Sequence, residues 1–376
     1  MKCRCSKCHG CLKTAPLPPR IFPKSILGDS LIIHSSLAKY CELMPLERFA
    51  AMLRRHGHAN AKPGGLVQGS IRLSEFLEPI YESMKEEVLS SKVISADETP
   101  HRMLEGDEKS KWFLWAFLSK NSCFFEIQDT RSGAVASTLL IESQCEILLS
   151  DVFSGYDKCT KDVNASRKLN NKIMLLQAYC NAHAFRYFRD AETIDEEDNP
   201  KEGPPLELEL KDFLHNYGKI YEIERYLKNK SNEDILEARK RMRPHFEAMQ
   251  KEALLIIENY PAKSKIRQAL GYFLNNYEGL TLFLDLPEVP IDNNHTERLI
   301  RNPVIGRKTW LGTHSKRGAK AQAILFTIAQ GCKLVHVNPY LYVQDQVNAI
   351  HRGKPPITPS EYKKLEVTSP PVEVSA

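Results

Sequence analysis

The stretch SKVISADETP, residues 91–100, is a short apolar run that closes on a carboxylate, Asp97, three residues before a proline. Val93 and Ile94 favour a strand, and Pro100 is expected to stop it. The same design recurs in CEILLSDVFSGY, residues 145–156, where Ile147, Leu148 and Leu149 lead to Asp151. Between them lie two aromatic-rich strand candidates, KWFLWAFLS (111–119) and SCFFEIQDT (122–130), and a helical segment, SGAVASTLLIES (132–143). After them, LLQAYCNAHAFRYFRDA (175–191) reads as a strand running into a helix. Three strands, a helix and a strand, with Asp ending the first and last of that set, make a mixed α/β sheet rather than a series of βαβ units.

Working outward, residues 30–90 carry apolar positions at three- and four-residue steps, broken at Pro45 and Gly57, with a helix start expected at Ser70. Arg54, Arg55, His56 and His58 give this part a basic end. On the other side, the charged loop IDEEDNPKEGPPLELE (194–209) precedes long helices that reach Tyr277, in which Arg239, Lys240, Arg241 and Arg243 suggest a second basic surface. Further helices follow residue 320, and the proline- and serine-containing stretch from 354 to 376 is expected to be disordered. No internal repeat is present. The organisation expected is a Cys-rich segment and linker over 1–24, a helical region over 25–90, a catalytic core over 91–320 interrupted by helices at about 206–277, a C-terminal helical region over 321–353, and the tail.

The first 24 residues hold Cys3, Cys5, Cys8 and Cys11 ahead of a proline-rich linker. The pairs Cys5/Cys8 and Cys8/Cys11 have the spacing of a zinc knuckle, but a tetrahedral site takes two knuckles and only one is present. The segment reads as half a zinc ribbon, with Cys5 and Cys8 as candidate Zn²⁺ ligands; cysteines without a function are the plainer alternative. Ten cysteines in 376 residues, mostly scattered singly, do not form a disulfide scaffold. With no apolar run near the roughly 20 residues of a membrane span and no secretory signal, a cytoplasmic protein is expected. A charged fraction of 26% against a hydrophobic fraction of 42% fits a globular chain.

Charge is distributed unevenly. The net charge is +5, yet Arg298, Arg301, Arg307, Lys308, Lys316, Arg317 and Lys320 lie in a stretch with no Asp or Glu, so the remainder is net negative. Phosphate is the usual partner of so lopsided a segment; a solvated basic face is the bland alternative. Directly ahead of it stands Glu297, in the first turn of a helix that Asn293 or Asn294 can cap and that Pro303 is expected to limit. Two carboxylates at neighbouring strand ends repel unless a cation lies between them, and oxygen-only ligation suits Mg²⁺ or Mn²⁺. Asp97, Asp151 and Glu297, backed by the basic run, therefore describe a two-metal phosphoryl-transfer site that grips a nucleic-acid backbone. Glu98, Asp157 and Asp292 lie close enough in sequence to be mistaken for these ligands.

ADETP around Asp97, SDVFSGY around Asp151, CNAHAFRYF from Cys180 and DNNHTERLIRNPVIGRKTWLG from Asp292, in this order and spacing, resemble the transposases of the IS66 insertion-sequence family. The resemblance covers residues 2–352. It implies an RNase H-like core of the DDE type interrupted by a helical insertion, with Asp97, Asp151 and Glu297 as the triad. It further implies Mg²⁺-dependent cleavage at transposon ends, strand transfer into target DNA, companion proteins from the same element, and a homo-oligomer on DNA. Cys180 and His183 are metal-ligand types, but one pair is too few; a packing role is expected, with His183 near the active site. Met1 falls inside what resembles the second half of the family's ribbon, which implies either a start placed too late or a truncated element. Two other readings stand beside the transposase: a truncated, non-catalytic DNA-binding remnant, and a metal-dependent nuclease or resolvase on the same core.

Overall fold

A computed structural model describes the backbone of residues 2–4, 12–14, 18–104, 111–192 and 207–368. Cys5 and Cys8 lie outside the described residues. The chain divides into two compact units, residues 1–83 with 316–376, and residues 84–315. The divisions fall inside a helix at 83/84 and ahead of one at 315/316.

In the first unit, β1 (Lys2–Arg4) pairs antiparallel with β2 (Leu12–Thr14). Helices α1 (Asp29–Tyr40), α2 (Leu46–Arg55) and α3 (Pro63–Phe76) bury Ala38, Leu46, Phe49, Ala50 and Leu66 among themselves. The helix expected to start at Ser70 starts at Pro63, where a missing N–H costs nothing. Ser70 is instead buried at a helix crossing, its Oγ 2.8 Å from Ser36 Oγ. α4 (Glu78–Leu89) runs on into the second unit.

The second unit is built on one five-stranded sheet. β3 (Val93–Arg102), β4 (Lys111–Leu118) and β5 (Cys123–Gln128) are antiparallel neighbours. After α5 (Ala134–Leu140), β6 (Ile147–Ser150) joins the other side of β3 in parallel. Then α6 (Ser154–Leu169) leads to β7 (Leu176–Tyr179), parallel to β6. The order is β5-β4-β3-β6-β7. β4 is buried from Trp112 to Leu118, on both faces, which accounts for its unbroken apolar run. β3 does not stop near Asp97: it continues through Pro100 to Arg102. Among the described residues, β4 is the only strand that pairs with it beyond Ser95, so the proline sits where no second strand calls on its missing donor.

α7 (Asn181–Glu192) follows β7 directly, and α8 (Glu207–Arg225), α9 (Asn232–Lys240), α10 (Arg243–Ile256), α11 (Lys265–Asn275) and α12 (Tyr277–Thr281) form a helical block. Its aromatic centre comprises Phe188, Phe213, Tyr217, Phe246 and Phe273, with Phe188 and Phe213 stacked at 4.6 Å. Ile147, Leu149 and Ala178 belong to the same core, so this block covers one face of β6 and β7. The second basic surface expected here is absent at its first member. Arg239 is 3% exposed, bonded to Glu224 at 2.7 and 3.2 Å and to the carbonyls of Phe283 and Leu286. Lys240 pairs with Glu237 and Arg243 with Asp285. Arg239 holds helices together, because a buried guanidinium needs a carboxylate and acceptors for its remaining N–H groups. The Lys240 pair, by contrast, lies exposed along α9, and the Arg243 pair is exposed as well.

α13 (Asn294–Trp310) packs on β3 and β4. It runs straight through Pro303, which is buried in it, because tertiary contacts on either side outweigh one lost backbone bond. Back in the first unit, α14 (Lys316–Leu334) packs against α1, α3, α15 (Pro339–His351) and α16 (Pro359–Thr368). α16 lies within the tail expected to be disordered. A reciprocal capping box starts it: Thr358 Oγ1 accepts from Glu361 N–H at 3.2 Å, and Glu361 Oε2 accepts from Thr358 N–H at 2.8 Å.

Candidate active site

The sheet register decides where the acids lie. Val93, Ile94 and Ser95 pair with Ile147, Leu148 and Leu149. Two steps further, Asp97 falls level with Asp151. β6 and β7 pair Leu149 with Ala178 and Ser150 with Tyr179, and Cys180 N–H still bonds Ser150 O at 3.0 Å, so Cys180 is level with Asp151 in turn. Because side chains alternate, these three residues share the face that carries Ile147, Leu149 and Ala178. Parallel neighbours are about 4.8 Å apart, so Asp97 and Asp151 are held against their mutual repulsion.

Their protonation reflects this. Burial, then the charges of Glu98 and Asp151, push Asp97 up to about 8. Burial and Glu98, partly offset by Arg131, push Asp151 up to about 6. Glu297 adds to both shifts. Asp97 Oδ1 accepts the backbone N–H of Glu98 at 2.8 Å, whereas Asp151 Oδ1 is buried with no hydrogen-bond partner. Such an orphaned carboxylate oxygen is the feature a cation satisfies.

Glu297 reaches the same face from α13. Asn293 fixes the start of that helix: its side-chain amide donates to Ala96 O at 2.9 Å, and its N–H donates to Cys180 Sγ at 3.2 Å. The capping expected of Asn293 is therefore replaced by a cross-link to the sheet, while Asp292 accepts from Asn294 N–H at 3.1 Å. One turn on, Glu297 receives both its hydrogen bonds from Arg186 Nη2, at 2.8 and 3.0 Å, with His183 Nε2 at 3.8 Å. Burial, then Arg186, lowers the affinity of His183 for a proton. Arg186 is the residue that sequence reading missed; its position one turn beyond His183 on α7 was the available signal.

The three look-alike acids are engaged elsewhere. Glu98 points to the opposite face of β3, where Arg131 binds it at 2.7 and 2.8 Å and Tyr156 Oη at 2.7 Å. Asp157 accepts from Tyr179 Oη at 3.0 Å, and Asp292 from Asn294.

The basic run is divided. Arg298, Arg301, Arg307 and Lys308 lie on α13, where Glu297, Arg301 and Lys308 fall along one side. Lys316, Arg317 and Lys320 open α14 in the other unit, where Arg317 pairs with Glu75 at 2.7 Å and Lys320 with Glu78. At the far end of α13, Arg307 and Lys308 join Pro100, His101, Arg102, Lys111 and Leu311 around an open cleft of about 500 Å³. Gly312 passes so close to β3 that an added Cβ would lie 2.0 Å from Arg102 O. His101, bonded to Thr313 Oγ1 at 2.9 Å, is pushed down to about 4 by burial and then by Arg307. Arg102 and Lys111 were not singled out by sequence because they are separated from the run by some 200 residues.

A mixed five-stranded sheet with two level carboxylates on one face and a third delivered by a helix defines a carboxylate-centred α/β protein. The family description Transposase IS66 family matches residues 24–321, and the chain belongs to that family. It is 24% identical to uncharacterized protein y4hP of Sinorhizobium fredii (strain NBRC 101917 / NGR234) over 356 residues, 92% of this chain and 63% of that protein. It is 25% identical to uncharacterized protein y4jD of the same strain over 369 residues, 95% of this chain and 69% of that protein. The chain thus spans about two thirds of the length of these relatives. Among the described residues no helix is long and apolar enough to cross a membrane.

Proposed function

We propose that this chain is the catalytic portion of a DDE transposase that cuts at the ends of an IS66-type element and joins its 3′-hydroxyl to target DNA. The observation that carries the reading is the level pair Asp97 and Asp151 with Glu297 on the same sheet face. We read the sheet, three antiparallel strands followed by two parallel ones, as RNase H-like. Asp97 and Asp151 would hold Mg²⁺ or Mn²⁺, with Glu297 joining them once Arg186 releases it. The orphaned Asp151 Oδ1 and the all-oxygen donor set fit such an ion. When bound, it lowers the pKa of the attacking oxygen and stabilises the leaving one.

The chain's own groups do the rest. Glu297, Arg301 and Lys308 line α13, and at about 1.5 Å per residue the helix spans roughly 16 Å from the carboxylates to the cleft. That is about five base steps of duplex at ~3.4 Å each. A backbone whose reacting phosphate lies at the acids can therefore reach Arg102, Lys111, Arg307 and Lys308, which position it without reading sequence. In strand transfer, the 3′-oxygen of the element's end forms a bond to the target phosphorus and loses its proton. The bond from that phosphorus to the target's own 3′-oxygen breaks, and the departing oxygen takes a proton up.

The test is strand transfer with purified protein, Mg²⁺ and a labelled, pre-cut duplex carrying the element's end, beside Asp151→Asn. Joined products lost in the variant support the reading. DNA binding without products, equal in both proteins, contradicts it and favours a binding remnant; cleavage of branched DNA without joining favours a nuclease.

A further inference from the structure

We propose that Cys180, His183 and Glu297 form a site for a thiophilic divalent cation of the Zn²⁺ class, and that filling it keeps Glu297 from joining Asp97 and Asp151. One sulfur, one imidazole nitrogen and one carboxylate oxygen lie within 4.8 Å of one another. Two ligand atoms at tetrahedral angles around bonds of ~2.0–2.1 Å lie about 3.3 Å apart. His183 Nε2 and Glu297 Oε1 are at 3.8 Å, so a contraction of a few tenths of an ångström brings them to that spacing. The sequence pair that lacked a third ligand thus acquires one from a residue more than a hundred positions away.

The scaffold around these atoms is fixed. Cys180 N–H is tied to Ser150 O at 3.0 Å, and His183 N–H to Cys180 O at 3.2 Å, which seats the imidazole one turn above the sulfur. Asn293 N–H already points at Cys180 Sγ, the kind of outer contact that steadies a metal-bound thiolate. His183 Nδ1 is buried without a partner. Arg186 is the cation that holds Glu297 now, and its side chain is 36% exposed, so it can swing outward when a metal replaces it. Binding expels one proton, that of the Cys180 thiol, to solvent. A sulfur–nitrogen–oxygen set with room for one exchangeable ligand selects Zn²⁺ or Co²⁺, whereas the aspartate pair next to it selects oxygen-loving ions.

The binding claim stands on geometry alone; the effect on the aspartates rests on the proposed function, and two separate readouts keep them apart. In the first, Co²⁺ is titrated into the whole chain and into Cys180→Ser, with His183→Asn as a second variant at a partly exposed position and circular dichroism as the check on folding. The N-terminal cysteines are common to all three, so any cobalt they take up cancels. A thiolate-to-cobalt absorption band larger in the parent than in both variants supports the site; spectra that superimpose overturn it. In the second, Mn²⁺ binding is followed by electron paramagnetic resonance with and without Zn²⁺. Zn²⁺ is expected to weaken Mn²⁺ binding about tenfold in the parent and not in Cys180→Ser. Equal weakening in both, or none in the parent, overturns the coupling. Absence of Mn²⁺ binding in the parent defeats the coupling together with the aspartate reading and leaves the cobalt result to stand on its own.

Discussion

Asp97 and Glu98 are consecutive residues on one strand, and their surroundings could hardly differ more. Glu98, on one face of β3, is closed in by the Arg131 guanidinium and the Tyr156 hydroxyl, with Phe153 stacked on Arg131 at 4.0 Å. Asp97, on the other face, has a single backbone hydrogen bond, faces Asp151, and is pushed up to about 8. A buried carboxylate with its cation already built in is an anchor; one half-buried beside a second carboxylate would, under the proposed function, take its cation from outside. Residue type and spacing do not separate these two cases, whereas strand alternation does.

The largest effect that separates the faces is on activity. Asp97→Asn and Asp151→Asn should each lower strand transfer by at least ~10³-fold, about 4 kcal/mol, read from joined products. Each should leave the melting temperature unchanged or raised, because the amide relieves the repulsion. Glu98→Ala should do the reverse. It removes two strong contacts to a charged, buried group, and a loss of roughly 2–3 kcal/mol in urea unfolding is expected. Metal binding by the refolded variant should be retained.

The third effect is a pH dependence. A carboxyl whose pKa is raised by folding binds more protons folded than unfolded, so the cation-free fold loses stability as pH rises. From the ordinary value near 4, the loss runs to about 6 for Asp151 and about 8 for Asp97. Under the proposed function a cation would take over from those protons. Thermal stabilisation by Mg²⁺ should therefore grow between pH 6 and pH 8.5, and a stabilisation that is flat or falls over that range would count against the pair. The smallest effect belongs to the cleft. Arg102→Ala and Lys111→Ala should each reduce the salt dependence of duplex binding by about one ion, weakening all sequences alike.

Much of the fold was legible. The five strands, the helix between the third and fourth, and the helical block after residue 206 follow from periodicity and aromatic runs. Boundaries failed where a tertiary contact overrode a local signal: Pro100 within β3, Pro303 within α13, Ser70 in the middle of α3. The acids were legible as candidates because each closes an apolar run or opens a helix. Their partners were not. Arg186, Arg131 and Tyr156 reach the carboxylates from 33 to 111 residues away, and only the parallel register shows that Asp97, Asp151 and Cys180 are level. Arg239 shows the opposite error, since a cluster of basic residues read as surface had its first member at the centre of a helix junction.

The most direct measurement is Mn²⁺ binding at pH 8, followed by electron paramagnetic resonance, in the whole chain and in Asp97→Asn, Asp151→Asn and Glu98→Gln. The account predicts binding in the parent and in Glu98→Gln, and its loss by tenfold or more in both aspartate variants. Equal binding in all four proteins, or loss through Glu98 alone, would contradict it and move the cation site to the other face of the sheet.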